Sequence, residues 1–438
     1  MNPEFQRNVW LGCAPPRLVS AGAGLSALLA LAWLVNGRGF GTITENAALA
    51  CFVVFTGAWG AQLTSASLIS ELRGHTWDQQ RLSALGPWAM AWGKLAGGPA
   101  AAWLCGGLCL AVYVFSIELG PNTAWVILAL CSSALGLHAF ALIGALLLAQ
   151  RGPAANVPLS LRLAGAAGLV WLARVILNRP ETTIRWFGHD YPATVFTGVV
   201  LALLAAWLVF GCYRLMCEAL LVRTLPWALA GCVGFLACLV TGTLVDASAT
   251  QAAALTTAAT VALGLSLAAS YLAAFAYAPD PLLPRRLLAY ARRGQWCAVA
   301  QEWPLWGVAL GYALVLALGL SALSTERAAL PEAWASLAAS SWPLLLFASR
   351  DLLVFFAIAA RAPRGGHEAS QLMYLGLAYW LLPSVAALAG AQGLTSLLRP
   401  QATLTPLVAC AVLLPQVALA ALWARRAWLI RMTPQGEG

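Results

Sequence analysis

The chain has 438 residues, of which 61% are hydrophobic and only 9% are charged. A soluble fold of this length needs far more charge to cover its surface, so the composition excludes that class and indicates a membrane protein. The net charge is +9, but the arginines are spread between apolar segments rather than gathered on one polar face, which argues against a nucleic-acid partner.

Apolar runs of about 18–25 residues recur along the chain, and each is long enough to cross a hydrocarbon core of about 30 Å. Backbone groups find no water in lipid, so these runs predict helices. The predicted spans lie at residues 19–36, 46–69, 96–117, 124–149, 162–178, 194–213, 225–245, 253–277, 304–323, 336–360, 371–390 and 404–424. The predicted fold class is therefore all-α, a polytopic helical membrane protein of about twelve transmembrane helices.

The basic residues predict the orientation of these spans. With the N-terminus in the cytoplasm, eighteen of the 25 lysine and arginine residues fall in cytoplasmic segments and six fall outside, while Arg350 lies within a span. Both termini are therefore predicted to be cytoplasmic. The leader at residues 2–12 is predicted to lie along the membrane surface on Phe5 and Trp10, with a disordered tail as the alternative.

The chain repeats itself at an offset of about half its length. An Arg-x-Pro pattern is followed 19 or 20 residues later by a tryptophan. The matching residues are Arg151, Pro153 and Trp171 in the first copy and Arg361, Pro363 and Trp380 in the second. We predict two parallel six-helix repeats, residues 1–220 and 221–438, with a translocation path between them. Chance similarity between helices rich in alanine and leucine is the alternative.

The dipeptide Gly93-Lys94 looks like the tail of a phosphate-binding loop. Such a loop needs the pattern GxxxxGK[ST] between a strand and a helix, so that N–H groups cradle the phosphates and a hydroxyl holds magnesium. Six residues separate Gly86 from Gly93, Pro87 lacks an N–H, and Leu95 replaces the hydroxyl. The chain is not predicted to bind ATP here.

Neither a metal site nor an enzyme is predicted. The cysteines and histidines form no ligand pattern, and the sequence has no convergent cluster of His, Asp and Glu that would serve covalent chemistry. No catalytic residue, metal ligand or cofactor is therefore assigned to this chain.

One cytoplasmic loop carries an ordered set of residues between the second and third predicted spans. The set is Glu71, Arg73, Gly74, Thr76, Trp77, Asp78, Leu85, Pro87, Trp88, Gly93, Lys94 and Leu95. This order resembles the first cytoplasmic loop of the ABC-2 type permeases, which are membrane subunits of ATP-binding-cassette (ABC) transporters. The chain departs from the family pattern at His75, at residues 79–81 where the family is usually aliphatic, and at Ala84.

The resemblance implies a permease subunit in the bacterial inner membrane, in a class that mostly exports. Cytoplasmic ABC ATPase subunits, which bind the ATP and Mg²⁺, are the implied partners, together with membrane lipids and further permease or accessory subunits. In such permeases a short cytoplasmic helix docks on the ATPase and passes its motion to the spans.

The residues of this loop suit a coupling helix. Thr76 is predicted to cap a helix that carries Asp78 in its first turn, and Arg81 is predicted to meet an acidic rim on the partner. The predicted apolar docking surface consists of Trp77, Leu82, Leu85 and Trp88. An amphipathic helix lying on the membrane is the alternative.

The corresponding loop of the second half is more basic. Its candidate docking residues are Arg286, Arg292, Arg293 and Trp296. Because this loop lacks the Glu and Gly-Lys of the first, it either docks an ATPase with different chemistry or contacts lipid headgroups.

Two further pairs are candidates for a translocation path or gate. Arg350 and Asp351 lie within an apolar run, where they line a path or lock neighbouring helices, and the locking role is favoured. Arg185 and Trp186 lie in the outer segment 177–192, a region that often forms short re-entrant helices in the resembled family. They contact an exported head group or belong to a solvated loop.

Three other functions compete with a permease. An ion-coupled secondary transporter needs buried acids, and only Asp351 lies deep in a predicted span. A membrane-embedded enzyme would need the convergent polar cluster that the sequence lacks. A non-transporting membrane anchor of an ATPase complex is compatible with the same sequence.

Overall fold

The computed structural model describes residues 2–151, 183–246, 249–276, 282–323, 332–361, 367–391, 395, 398 and 405–432. Within these ranges the regular structure is helical except for one two-stranded sheet. The all-α fold class is confirmed at that level. The predicted span at 162–178 and three residues of the repeat motif, Pro153, Trp171 and Pro363, lie outside the described residues.

The first of two compact units comprises Met1–Ile184 and Asp190–Thr224. Its helices are α1 (Pro3–Gly12), α2 (Pro15–Val35), α3 (Thr42–Arg73), α4 (Trp77–Arg81), α5 (Pro87–Gly97), α6 (Ala100–Ser116), α7 (Thr123–Arg151) and α8 (Ala193–Ala219). A hairpin of β1 (Thr183–Trp186) and β2 (His189–Pro192) precedes α8.

The second unit comprises Arg185–His189 and Leu225–Gly438. Its described helices are α9 (Trp227–Leu244), α10 (Gln251–Ala276), α11 (Leu283–Arg292), α12 (Trp296–Glu302), α13 (Leu305–Ala322), α14 (Glu332–Ala339), α15 (Ser341–Arg361), α16 (His367–Leu388) and α17 (Pro406–Met432). The division after Thr224 lies near the predicted boundary at residue 220. That the two units are repeats stays a prediction.

Long apolar helices dominate both units. Ten helices of the described residues are long and apolar enough to cross a membrane, and α5 with α6, which meet at a bend of 50°, would add an eleventh. Each overlaps a predicted span, so the chain is a multi-pass helical membrane protein. The count of twelve and the cytoplasmic termini stay predictions.

A core of large side chains joins α3, α5, α7 and α8 in the first unit. Leu68, Met90, Leu142, Leu146 and Met216 are wholly buried in it. Apolar side chains also cover the outer helix faces, as on α2, where lipid rather than water is the expected surroundings. The pattern explains why apolar runs, rather than amphipathic periodicity, mark these helices in the sequence.

The helix α3 contains a π-helical segment, Phe52–Trp59. Within it the carbonyl oxygen of Thr56 lies 2.7 Å from Nε2 of His138, a wholly buried residue of α7. Gly60 makes room for the imidazole, because a Cβ at that position would collide with the ring. His138 thus ties α7 to the irregular part of α3.

The helix α1 packs closely along α5 through two glycines. A Cβ at Gly93 would meet Cγ of Glu4 at 2.6 Å, and a Cβ at Gly97 would meet the carbonyl oxygen of Phe5 at 2.9 Å. Asn2 caps α1, since its Oδ1 accepts a hydrogen bond from the N–H of Glu4 at 3.1 Å. The leader therefore forms a helix against α5, and the disordered-tail alternative is wrong.

Replacing Gly97 with leucine is expected to separate α1 from α5, because the new side chain would meet backbone rather than a flexible side chain. We expect the free energy of unfolding in detergent to fall by about 1–3 kcal/mol. Gly107→Leu in α6 is the matched control, since a Cβ at Gly107 meets nothing within 4 Å. Equal losses in the two variants would contradict this packing.

Candidate functional site

The side chain of Lys94 is wholly buried on α5, where it meets two carboxylates. Its Nζ donates to Oε1 of Glu4 at 2.9 Å and to Oε2 of Glu71 at 2.5 Å. A third, longer contact reaches Oε1 of Gln80 at 3.4 Å. One lysine on α5 thus contacts the N-terminal helix α1, the end of α3 and the short helix α4.

Arg7 brings the second positive charge to this cluster. Its guanidinium donates to Oε1 of Glu71 at 2.7 Å and lies 3.4 Å from Oε2 of Glu4. Asn8 donates to Oε1 of Glu4 at 2.9 Å. Two acids and two bases therefore balance, and we call Glu4, Arg7, Glu71 and Lys94 the Lys94 cluster. Removing one partner of such a buried pair costs about 3–5 kcal/mol, because a charge is left uncompensated.

The cluster shifts the pKa values of its two members on α1. Burial acts to raise the pKa of the Glu4 carboxyl, but the charge and hydrogen bond of Lys94 outweigh it, so that pKa lies below its ordinary value. Burial acts to lower the pKa of the Arg7 guanidinium, and its hydrogen bond to Glu71 raises that pKa overall. Both groups are therefore held in their charged forms.

A tight turn follows α3 and places Trp77 next to Lys94. The N–H of Thr76 donates to the carbonyl oxygen of Glu71 at 3.0 Å, and His75 has a φ of 54°. This is a Schellman-type helix end, with His75 at the left-handed position that glycine usually occupies. Trp77 follows at once, is 5% exposed, and lies with its ring centroid 5.6 Å from Nζ of Lys94.

The structure divides the predicted coupling residues into three groups by exposure. Glu71, Trp77, Gly93 and Lys94 are buried, Arg81, Leu85 and Pro87 are half-buried, and Gly74, Thr76, Asp78 and Trp88 are exposed. Four of the residues that carry the resemblance thus have a packing role inside this unit.

The predicted coupling helix is wrong in three respects. It is not one continuous helix, because α4 ends at Arg81 and Trp88 belongs to α5. Thr76 does not cap α4 through its side chain, since its hydroxyl lies 3.4 Å from the carbonyl oxygen of Glu71 instead. Trp77 is not part of a docking surface, because it packs against Lys94.

An exposed apolar surface nevertheless remains on this loop. Leu82 is 89% exposed and Trp88 is 51% exposed. The Trp88 ring stacks on Trp92 with centroids 6.0 Å apart and meets Tyr213 edge-on at 5.8 Å. We call the exposed side chains of Leu82, Trp88 and Trp92 the elbow surface.

Arg350 and Asp351 form an ion pair within α15. Adjacent residues of a helix point about 100° apart, so this pairing does not follow from their positions alone. Nε of Arg350 donates to Oδ1 of Asp351 at 2.9 Å, and both side chains are buried. Asp351 also accepts hydrogen bonds of 2.7 Å from Tyr271 and 2.7 Å from Tyr374, and one of 2.5 Å from Tyr379. The carboxylate is thus surrounded by donors.

Arg350 extends this network to α17, where its guanidinium donates to Oε1 of Gln416 at 2.8 Å. The network therefore ties together α10, α15, α16 and α17 of the second unit. A fully bonded charge pair that connects four helices fits the locking role better than a path or a gate. The three tyrosines and Gln416 carry no local sequence signal that links them to Asp351.

The basic loop of the second unit is exposed and lacks a buried charge cluster among its described residues. Nε of Arg286 donates to Oε2 of Glu302 at 3.0 Å. Trp296 is 67% exposed, and Arg292 and Arg293 are exposed at the end of α11. Its packing thus differs from that of the loop around Lys94.

The outer pair belongs to the tip of the β-hairpin, so the expectation of re-entrant helices is wrong for residues 183–192. Nε1 of Trp186 donates to the carbonyl oxygen of Leu239 at 3.2 Å, and its ring lies against Gly242. Arg185 lies 3.5 Å from Asp246 in an exposed pair. Trp186 therefore anchors the hairpin tip to α9.

No protein-family model, curated protein or solved structure matches this chain. The likeness to ABC-2 type permeases therefore stays a resemblance, carried mainly by the residues of the loop at 71–95.

Acid should weaken the Lys94 cluster through Glu4. A carboxyl whose pKa is lowered on folding stabilises the fold above its ordinary pKa of about 4.3, and that contribution disappears as the pH falls through the lower, folded value. We expect the free energy of unfolding to fall as the pH drops below the ordinary value of about 4.3. Glu4→Gln should flatten this dependence by up to about 1.4 kcal/mol per pH unit. Asp78→Asn, at an exposed acid, is the control; the same slope in wild type and Glu4→Gln would contradict this role.

Proposed function

We propose that this chain is the membrane permease subunit of an ABC transporter of the ABC-2 type, with export as the expected direction. Separate ATPase subunits would dock on the elbow surface. The observation that carries the proposal is the loop at 71–95, whose order of residues resembles that family and whose Leu82 and Trp88 are exposed.

The Lys94 cluster gives this loop a physical means of passing force to the membrane helices. A loop held by weak contacts would absorb a push from a partner by bending. Here Glu71 fixes the end of α3 to Lys94 of α5, and Glu4 fixes α1 to the same lysine. A load on the elbow surface would therefore move α1, α3 and α5 together.

The buried residues of the resemblance also have a role in this proposal. Lys94 and Gly93 hold the loop, while the adjacent exposed residues meet the partner. An interface of this kind gains most of its affinity from a few apolar and aromatic anchors, and Trp88 and Leu82 are of that type.

Ion coupling is the less well supported alternative. A carrier acid has to exchange its proton or cation during transport. Asp351 is held by an arginine and three tyrosine hydroxyls, so that exchange would cost several charge-assisted hydrogen bonds.

The test is to purify the tagged full-length chain from the membranes of its own organism and measure ATP hydrolysis per mole of chain. We expect activity above that of an untagged preparation. Leu82→Asp and Trp88→Asp should each lower it about tenfold or more, because loss of an interface anchor costs about 2 kcal/mol or more.

Leu119→Asp is the matched control. Leu119 is 74% exposed, but it follows the C-terminal end of α6, whereas the elbow surface precedes the N-terminal end of α6. It should retain the wild-type ATPase activity. Absence of any associated ATPase, or equal activity in all three variants, would contradict the proposal and favour the membrane-surface alternative for this loop.

A further inference from the structure

The short helices α11 and α12 of the second unit connect two long apolar helices. They follow α10, which ends at Ala276, and they precede α13, which begins at Leu305. Both α10 and α13 are long and apolar enough to cross a membrane. Because a connection between two spans emerges from the hydrocarbon core, we expect α11 and α12 to lie at the membrane surface.

The helix α11 separates its apolar side chains from its charged ones. At about 100° per residue, Leu283, Leu287 and Ala291 lie within an arc of about 80°. Arg285 and Arg292 lie about 20° apart on the opposite side. An amphipathic helix with arginine on its polar face is typical of segments that lie in the membrane interface with their apolar face towards the acyl chains.

The rest of the protein does not bury the apolar side chains of this helix pair. All residues of α11 and α12 are described, and none of them is buried. Leu288 is 54% exposed and Trp296 is 67% exposed. Tryptophan is enriched where membranes meet water, because its ring is apolar and its N–H is polar. Lipid would therefore cover side chains that water would otherwise meet.

Arginines from three helices gather at this part of the second unit. The guanidinium of Arg285 lies 5.6 Å from the ring centroid of Trp428 in α17, and that of Arg361, at the end of α15, lies 5.3 Å from the ring centroid of Trp423. These contacts bring α11 and the ends of α15 and α17 together. We call their arginines the basic end: Arg285, Arg286, Arg292, Arg293, Arg361, Arg425, Arg426 and Arg431.

Few acids oppose this charge. Among the described residues of α11, α12, the ends of α15 and α17 and the first turn of α16, the acids are Glu302 and Glu368. Glu302 is held by Arg286 at 3.0 Å. Arg292 and Arg293 are exposed and have no ion-pair partner among the described residues. Their guanidinium groups are therefore available to an anion from outside the chain.

We propose that the basic end binds the phosphate headgroups of anionic phospholipids. Guanidinium groups pair with phosphate oxygens through two parallel hydrogen bonds, and clusters of about four to eight basic residues beside a membrane helix are typical of such sites. A lipid supplies both an anion for the arginines and hydrocarbon for the apolar face of α11, whereas an acidic protein surface supplies only the first. The inference concerns lipid binding and does not rest on an ATPase at the elbow surface.

The test is native mass spectrometry of the purified full-length chain in detergent, titrated with dioleoylphosphatidylglycerol. Dioleoylphosphatidylcholine has the same acyl chains without a net charge, and inorganic phosphate supplies the anion without acyl chains. We expect phosphatidylglycerol to bind about tenfold or more tightly than phosphatidylcholine, because several basic residues contribute to its binding. Millimolar phosphate should not displace it.

Two double variants locate this binding. Arg292→Gln/Arg293→Gln should lower the affinity for phosphatidylglycerol about tenfold or more and leave that for phosphatidylcholine unchanged. Arg292→Lys/Arg293→Lys keeps both charges and should retain most of the preference. Arg17→Gln/Arg223→Gln is the matched control, since it removes two exposed arginines of the first unit. It should leave the affinity for phosphatidylglycerol unchanged.

Three results would overturn the proposal. They are equal affinity for the two lipids, an affinity for phosphatidylglycerol that Arg292→Gln/Arg293→Gln does not change, and an equal loss of affinity in the control. Displacement of the lipid by millimolar phosphate would assign the basic end to a free anion instead. Unchanged lipid binding with loss of co-purifying ATPase activity in Arg292→Gln/Arg293→Gln would assign it to an ATPase. None of the lipid results bears on whether an ATPase docks at the elbow surface.

Discussion

A lysine side chain that water does not reach has to be compensated by carboxylates, and the architecture of the first unit follows from this constraint. Lys94 lies in the last turn of α5, before the bend that leads into α6, and its two acids come from α1 and α3. The glycines on α5 allow α1 to approach closely enough for Glu4 to reach the ammonium group. A buried pair of this kind specifies an arrangement more than it adds net stability, since the cost of desolvation offsets much of the attraction.

The second unit meets the same constraint with different residues. Arg350 and Asp351 neutralise each other within one helix, and tyrosines from α10 and α16 complete the shell of the carboxylate. Both charge clusters are closed, with each acid held by named donors. Both clusters therefore hold helices of their own unit together.

The spans could be predicted because bilayer thickness fixes their length and lipid fixes their composition. The partners of the charged residues could not. Glu4 lies 90 residues from Lys94 in sequence, and the apolar residues around it suggested a surface helix rather than a buried one. Trp77 was predicted to lie on an exposed docking surface, whereas it is buried after the turn at His75. Tertiary packing decides each of these outcomes, and no local pattern reports it.

The central claim is that Lys94 joins α3 to α5 through a direct charge interaction with Glu71. A double-mutant cycle of Glu71→Gln and Lys94→Met, followed by unfolding in detergent near pH 7, measures that interaction without the contributions of the single changes. We predict a coupling free energy of about 1–3 kcal/mol, with the double variant less destabilised than the sum of the two single variants. A double variant that equals the sum to within about 0.3 kcal/mol would show that the two residues act independently and would contradict the account.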